Sequence, residues 1–276
     1  MGDVTYAEVI GDPIAQSKSP LIHKHWLELL GMEGGYLGTR VEADGLSAFL
    51  AQRRNDSHWR GCNVTVPHKE AIVPLLDELD ASAAAVGAVN CVVPRSGRLV
   101  GYNTDVDGIA AALDVTEFEG RDAILIGAGG AARAAVAYLA GRNLNSLTVL
   151  ARDPVKAESL RFLAPRVSFQ FAGLNDDPAA RNPSAIINAS PLGMVSSPEM
   201  PGNLLATVAA RANGATVFDM VYNPLDTAFL AAGRDGRGLP VDGLTMLIGQ
   251  AERAFDLFFG RPPPPDHRRV RDLLTT

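Results

Sequence analysis

Ala123–Ile126 runs directly into Gly127-Ala128-Gly129-Gly130-Ala131-Ala132, and the joint between them decides the fold. A short apolar run of this kind reads as a buried strand, and the Ala-rich stretch Ala131–Leu139 behind it reads as a helix. The glycines fit GxGxxA at a strand-to-helix turn. Glycine there permits a tight turn and a close backbone approach to a pyrophosphate. The helix start adds unpaired N–H groups and the positive end of a dipole. A bare glycine pattern also suits an ordinary strand–helix turn; its placement here is what points to a dinucleotide.

The next strand, Leu147–Leu150, leads into Ala151-Arg152-Asp153-Pro154-Val155-Lys156. NAD-specific folds place an acid at the end of this strand to accept from the ribose 2′-OH. Here Ala151 and then Arg152 stand in its place. An arginine fork with Lys156 one helical turn later suits a 2′-phosphate, so the segment favours NADP over NAD. Asp153 keeps NAD in play, and a solvated helix start is the plain alternative for Arg152 and Lys156.

Outward from this joint, short apolar runs alternate with helical patterns. Val4–Ile10, Tyr36–Val41, Gly61–Val66 and Gly87–Val93 read as strands ahead of it, and Ala185–Asn188 and Thr216–Asp219 behind it. Ser19 as N-cap and Pro20 at the first helical position open a helix that Gly31 stops. Leu46–Gln52 and Glu70–Leu79 read as further helices. A helix from Leu244 and a last one over Arg268–Leu274 flank Pro262–Pro265, which no helix crosses. Strands alternating with helices indicate βαβ units and a largely parallel sheet, an α/β fold. Junctions at Val106–Leu113 and Val241–Gln250 give two domains, residues 1–105 with 245–276 and residues 106–244.

The 276 residues carry a net charge of −6, with 47% apolar and 6% aromatic residues. That is ample for buried cores and too apolar for disorder. No charge-free apolar run nears the ~20 residues of a membrane helix. The opening MGDVTYAEVIGDP is not a secretory leader, and no dense Lys/Arg block offers itself to nucleic acid or an anionic membrane. Cys62 and Cys91 form no CxxC pair, so neither a disulfide framework nor a zinc site is expected. The expectation is a cytoplasmic protein acting on a small molecule without a metal.

Several polar residues fall where the pattern puts strand ends. Ser17 and Ser19 follow the first strand. Asn63 and Thr65 alternate with Val64 and Val66, and Pro67-His68-Lys69 comes directly after. Asn90 lies in the next strand, and Asn103, Thr104 and Asp105 precede a helix. Ligands of open α/β sheets bind beyond the carboxyl ends of the strands. Hydroxyls, amides, one lysine and one aspartate gathered there suit a polyhydroxylated acid. Carbonyl reduction needs a hydride on carbon and a proton on oxygen, and a positioned ammonium supplies the proton and steadies the oxyanion. Lys69 is the candidate, with Asp105 fixing its direction. Taken singly, Lys69 would read as a surface lysine and Asp105 as a helix N-cap. Strand alternation aims His68 elsewhere, His23 and His25 show no metal spacing, and Cys91 reads as a small buried side chain.

Gly11-Asp12-Pro13-Ile14 with Ser17 and Ser19, NVTVPHK at 63–69, GAVN at 87–90, Asn103-Thr104-Asp105, the glycine turn, NASPLGM at 188–194, DMVYNP at 219–224 and Gly243 to Gln250 together resemble the shikimate dehydrogenase family. The resemblance implies an N-terminal α/β substrate domain plus a Rossmann-like dinucleotide-binding domain, with reversible NADPH-dependent reduction of 3-dehydroshikimate to shikimate in the cleft between them. It assigns Lys69 and Asp105 as the catalytic pair. Ser17 and Ser19 take the substrate carboxylate, and Asn63, Thr65, Asn90, Asp105, Gln250 and Tyr222 complete the substrate site. Gly127, Ala128, Gly129, Gly130, Ala131, Ala151, Arg152, Lys156, Ser190, Met220 and Gly243 fall to the cofactor. Family members occur as monomers and homodimers.

Lys24, Cys91 and the pair Ala151/Asp153 depart from the family's usual residues, and the last pair bears on cofactor choice. A quinate/shikimate dehydrogenase using NAD is the nearest alternative. A methylenetetrahydrofolate dehydrogenase-like protein would need more aromatic stacking surface than this chain offers. A non-catalytic, dinucleotide-responsive regulatory protein would not need the Lys69–Asp105 pair.

Overall fold

Side-chain alternation along Tyr6–Gly11 (β1) sets the first core. Ala7 and Val9 point to one face, where Tyr36, Cys91 and Val93 meet Ala254, Leu257 and Phe258. Ile10 points to the other, where Cys62, Val64 and Val92 meet Leu46, Phe49 and Leu50. The computed structural model describes residues 4–195 and 197–275; Met1–Asp3 of the opening stretch lie outside them. The chain divides into one unit that runs to Asp107 and resumes at Ile248, and a second unit, Gly108–Leu247.

In the first unit β1 is followed by α1 (Ser19–Leu29), β2 (Gly35–Arg40), α2 (Leu46–Arg54), β3 (Trp59–Val64), α3 (His68–Ala71), β4 (Glu78–Leu79), α4 (Ala81–Val86), β5 (Cys91–Arg95) and β6 (Arg98–Tyr102). The sheet order is β2-β1-β3-β5-β6-β4. β2, β1 and β3 are parallel, whereas β5 runs antiparallel to both β3 and β6. The sheet is therefore mixed rather than largely parallel. Ser96 and Gly97, both at positive φ, close β5 and β6 into a two-residue hairpin, the turn whose twist suits paired strands.

α5 (Asp105–Leu113) leads into the second unit. There follow β7 (Asp122–Ile126), α6 (Gly130–Ala140), β8 (Ser146–Leu150), α7 (Pro154–Ser159), β9 (Ser168–Ala172), β10 (Ala185–Asn188), α8 (Gly202–Arg211), β11 (Thr216–Asp219), α9 (Ala228–Asp235) and β12 (Leu239–Val241). α10 (Gly243–Phe259) and α11 (His267–Thr275) end the chain. The second sheet is wholly parallel in the order β12-β11-β10-β7-β8-β9. Counted from β7, this is the doubly wound order of dinucleotide-binding sheets, with its switch point between β7 and β10. Among the described residues no helix is long and apolar enough to cross a membrane.

Three local expectations fail for identifiable reasons. Glu70–Leu79 is not one helix: Pro74 cannot continue it, and the segment breaks into the single turn α3, a 3-10 turn at Val73–Leu75 and β4. Gly87 is not in a strand; it ends α4 in the left-handed conformation, and β5 starts only at Cys91. Ser19 is not the N-cap of α1, since Lys18 holds that position without a side-chain bond. Cys62 and Cys91, remote in sequence, sit on the paired strands β3 and β5, both fully buried thiols.

Glu8 is the one acid in the middle of β1. It is 0% exposed and accepts from Thr39 Oγ1 at 2.5 Å and from Arg53 Nε at 2.7 Å. Removing one partner of a buried ion pair strands the other charge. Arg53→Met is expected to cost about 3 kcal/mol in urea unfolding. The double replacement Glu8→Gln/Arg53→Met is expected to recover most of that loss.

Candidate active site

Lys69 reaches its place through a single helical turn. α3 has no side-chain cap, and one turn is too short to stand alone. Tertiary bonds hold it: Val89 N donates to Lys69 O at 2.8 Å, and the buried His68 donates from Nε2 to Val41 O at 2.6 Å. His68 thus points into the core while Lys69 points to the site. Lys69 Nζ donates to Asp105 Oδ2 at 2.6 Å, with side-chain exposures of 22% and 4%. Asp105 is the first residue of α5, where the helix N-terminus favours an acid.

Asn90, in the bend just before β5 rather than in the strand itself, organises the surroundings. Its Oδ1 accepts from Thr104 N at 2.6 Å, which fixes the amide's orientation. Its Nδ2 then donates to Asp105 Oδ1 at 2.9 Å, Thr104 Oγ1 at 3.1 Å and Gln250 Oε1 at 3.2 Å. Two N–H groups serve three acceptors, and the Gln250 NH2 is left without a partner among the described residues. Asn63, on β3, donates from Nδ2 to Asn90 O at 3.2 Å and accepts from Tyr36 at Oδ1. Thr65 stands just past the end of β3. Ser17 Oγ accepts from Ser19 N at 3.4 Å at the start of α1. Lys69, Asn63, Asn90, Asp105 and Gln250 are therefore one connected group within the first unit. The sequence reading did not assign Thr104 or Tyr36 to it; a threonine before an aspartate gave a signal for the first, and nothing marked the second.

In the second unit a cavity of about 480 Å³ opens at the switch point, lined by Gly127, Ala128, Gly129, Ala151, Arg152, Asp153, Lys156, Leu174 and Ala189–Leu192. Gly127, at φ +112°, passes so close to the loop after β10 that a Cβ would stand 2.9 Å from Ala189 O. At Gly129 and Gly130 a Cβ would meet nothing within 4 Å. The turn is thus tight where it backs onto protein and open where a pyrophosphate would lie. Arg152 and Lys156 have no side-chain partner among the described residues. Asp153 is spent on structure: its Oδ1 caps α7, accepting from Val155 N and Lys156 N at 3.0 and 3.2 Å. The residues present fit a phosphorylated dinucleotide.

Gly130 and Ala131 begin α6 and do not line this cavity, nor do Met220 and Gly243. Gly243 has a packing reason of its own, because a Cβ would come within 2.6 Å of Met220 O. Tyr222 follows β11 in the second unit, its phenol pKa raised by burial.

Behind the cavity wall lies a buried network that the sequence reading passed over. Asp219 is 0% exposed. It accepts from Asn188 Nδ2 at 2.9 Å, Val221 N at 3.0 Å and Thr227 Oγ1 at 2.6 Å. Burial raises its pKa, and those three donors oppose the rise. Asn188 Oδ1 in turn accepts from Ser190 N and Oγ at 3.1 and 2.6 Å, so one carboxylate ties the loops after β10 and β11 together.

A lysine–carboxylate pair set among amides, and a doubly wound sheet with an open glycine turn, define a dinucleotide-dependent dehydrogenase. Residues 9–92 match the model of the shikimate dehydrogenase substrate binding domain, and residues 243–267 that of the shikimate 5'-dehydrogenase C-terminal domain. The chain is 46% identical to the shikimate dehydrogenase (NADP(+)) of Sphingopyxis alaskensis, covering 94% of this chain and 92% of that one. Among solved structures, shikimate 5-dehydrogenase from Thermus thermophilus in complex with NADP(H) and shikimate superposes with a TM-score of 0.84 at 32% identity, covering 98% and 100% of the two chains. Shikimate 5-dehydrogenase from Listeria monocytogenes, in complex with shikimate and NAD, gives 0.90 at 27% identity, covering 99% and 97%. The chain belongs to the shikimate dehydrogenase family.

Asp219→Ala leaves three buried donors without their acceptor. It is expected to cost about 3 kcal/mol in thermal or urea unfolding, with Asp219→Asn intermediate because it keeps one acceptor oxygen.

Proposed function

We propose that this protein catalyses the reversible, NADP-dependent interconversion of 3-dehydroshikimate and shikimate. The observation that carries the reading is the 2.6 Å contact between Lys69 Nζ and Asp105 Oδ2 inside the amide group formed by Asn63, Asn90 and Gln250. In this reading residues 1–105 with 245–276 bind substrate, and residues 106–244 bind the dinucleotide.

When bound, the nicotinamide supplies or accepts the hydride. The rest of the chemistry falls to this chain. The Lys69 ammonium faces the developing alkoxide, lowers its energy and gives it a proton in the direction of reduction; in oxidation the amine takes the hydroxyl proton. Asp105 holds Nζ in line, and Asn90 holds Asp105. Ser17 and Ser19 accommodate the carboxylate of the acid. Thr65, Asn63 and the free NH2 of Gln250 meet ring hydroxyls, with Asn90 beside them and Tyr222 lining the site. Arg152 and Lys156 face the 2′-phosphate, with Gly127–Ala131, Ala151, Ser190, Met220 and Gly243 around the rest of the dinucleotide.

NADP rather than NAD is favoured by the employment of Asp153 as a helix cap. The two unpaired cations on either side of it are matched to two phosphate charges rather than to a ribose hydroxyl.

A spectrophotometric assay at ~340 nm, crossing shikimate and quinate with NADP+ and NAD+, tests the reading directly, as nicotinamide reduction is the chemistry measured. Turnover is expected with shikimate and NADP+; tight NADP+ binding without turnover would overturn it. Lys69→Ala is expected to lower kcat by about 10³-fold while NADP+ binding, read by fluorescence, stays near wild type. Arg152→Ala is expected to raise the KM for NADP+ by about 10-fold or more, leaving that for NAD+ little changed.

A further inference from the structure

Tyr36 stands on β2 directly behind the substrate group, its hydroxyl against Asn63 with Ser19 beside it. It is 0% exposed, and its hydroxyl donates to Asn63 Oδ1 at 2.6 Å. The ring is locked by a parallel stack on the buried His23, with centroids 4.0 Å apart and planes 4° apart. His23 is itself held neutral, its pKa lowered by burial to about 3, so the stack keeps its character across the physiological range. The Asn90 carbonyl can only accept, so it takes the nitrogen end of the Asn63 amide, and the Tyr36 O–H donates to the oxygen end. The nitrogen end is then committed to the other side, where one N–H goes to Asn90 O at 3.2 Å and the second has no partner among the described residues.

We propose that Tyr36 is a positioning residue: its hydroxyl, acting at the opposite end from the Asn90 carbonyl, pins the Asn63 amide in the position that turns a free N–H toward the substrate. The inference rests on the shikimate reading of the site. Without the phenol the amide is held at its nitrogen end alone, by Asn90 O, and it swings out of the position that aims its second N–H at hydroxyls needing a donor. Shikimate affinity falls, while the chemistry at Lys69 and the dinucleotide site are untouched.

Tyr36→Phe keeps the ring stack and removes only the hydroxyl. The KM for shikimate is expected to rise about 10-fold, the size of one lost hydrogen bond. The kcat is expected to stay within about threefold and the KM for NADP+ to stay unchanged. Asn63→Ala gives a similar rise, and the double variant Tyr36→Phe/Asn63→Ala should be no worse than Asn63→Ala alone, since Tyr36 acts through Asn63. Additive losses in the double variant, or a Tyr36→Phe enzyme with wild-type KM for shikimate, overturn the proposal. Should Tyr36→Phe fail to fold, Asn63→Asp decides. Wild-type shikimate affinity in that variant overturns the assignment, and a crystal structure of the wild-type enzyme with shikimate completes the test: the Asn63 amide bonded at once to the Tyr36 hydroxyl and to a shikimate hydroxyl supports it, and an Asn63 amide out of hydrogen-bonding reach of shikimate overturns it. A wild-type enzyme that does not turn over shikimate at all overturns the functional reading instead, and the assignment with it.

Discussion

The contact between Lys69 and Asp105 is the constraint around which the first unit is built. Neither partner holds it alone. Lys69 rides on one turn of helix that would not survive in isolation, and Asp105 opens a helix from the far end of the β5–β6 hairpin. What brings them to 2.6 Å is Asn90, whose backbone carbonyl accepts from Val64 N on β3 and whose side chain spans Thr104, Asp105 and Gln250. A short polar side chain at a bend can do this because its two ends differ: one accepts and the other donates, so each bond made fixes the sense of the next. Polar networks of this kind specify a geometry only when every member is satisfied, and the network here closes except where a ligand would enter.

The second unit solves a different problem with less chemistry. Its sheet is parallel throughout, with Ile124, Ile126, Ile186 and Val217 buried against Leu204, Val208, Phe229 and Leu230. Asp122, Asn145 and Ser146 tie the amino ends of β7 and β8 together, while the polar groups that line the cavity and hold its walls lie at the carboxyl ends of the strands. There the loops must be rigid enough to shape a cavity and open enough to admit a phosphate. Asp219 supplies the rigidity from behind and the glycine turn supplies the opening in front.

Much of this was legible in the sequence. The parallel strands β7, β10 and β11 announce themselves as short apolar runs, and the functional motifs follow them because the strand ends are where an α/β sheet exposes backbone. The elements that escaped were those whose cause is not periodicity. β9 and β12 are short and half-exposed, so their alternation is weak; Leu174, which lines the cavity past β9, was hidden with it. The hairpin of β5 and β6 turns on Ser96-Gly97, both at positive φ, and the Ser-Gly pair is the one local mark of it in the sequence. Pro74 breaks the helix expected over Glu70–Leu79 even though the apolar spacing around it suits one. Within the site, Lys69, Asn90 and Asp105 could be picked by chemical type, but Tyr36 and Asp219 could not. Their importance lies in which atom they face, and that is a fact of three-dimensional neighbourhood.

Asp153 carries a consequence for anyone seeking to retune the coenzyme. It lies beside the position where phosphate-free dinucleotides find their carboxylate, yet half of its oxygens already anchor the first turn of α7. Redirecting it toward a sugar hydroxyl would fray that turn and displace Lys156 in the same stroke. A conversion would start more safely at Ala151, whose methyl is not engaged in capping, and leave its acidic neighbour to its present task.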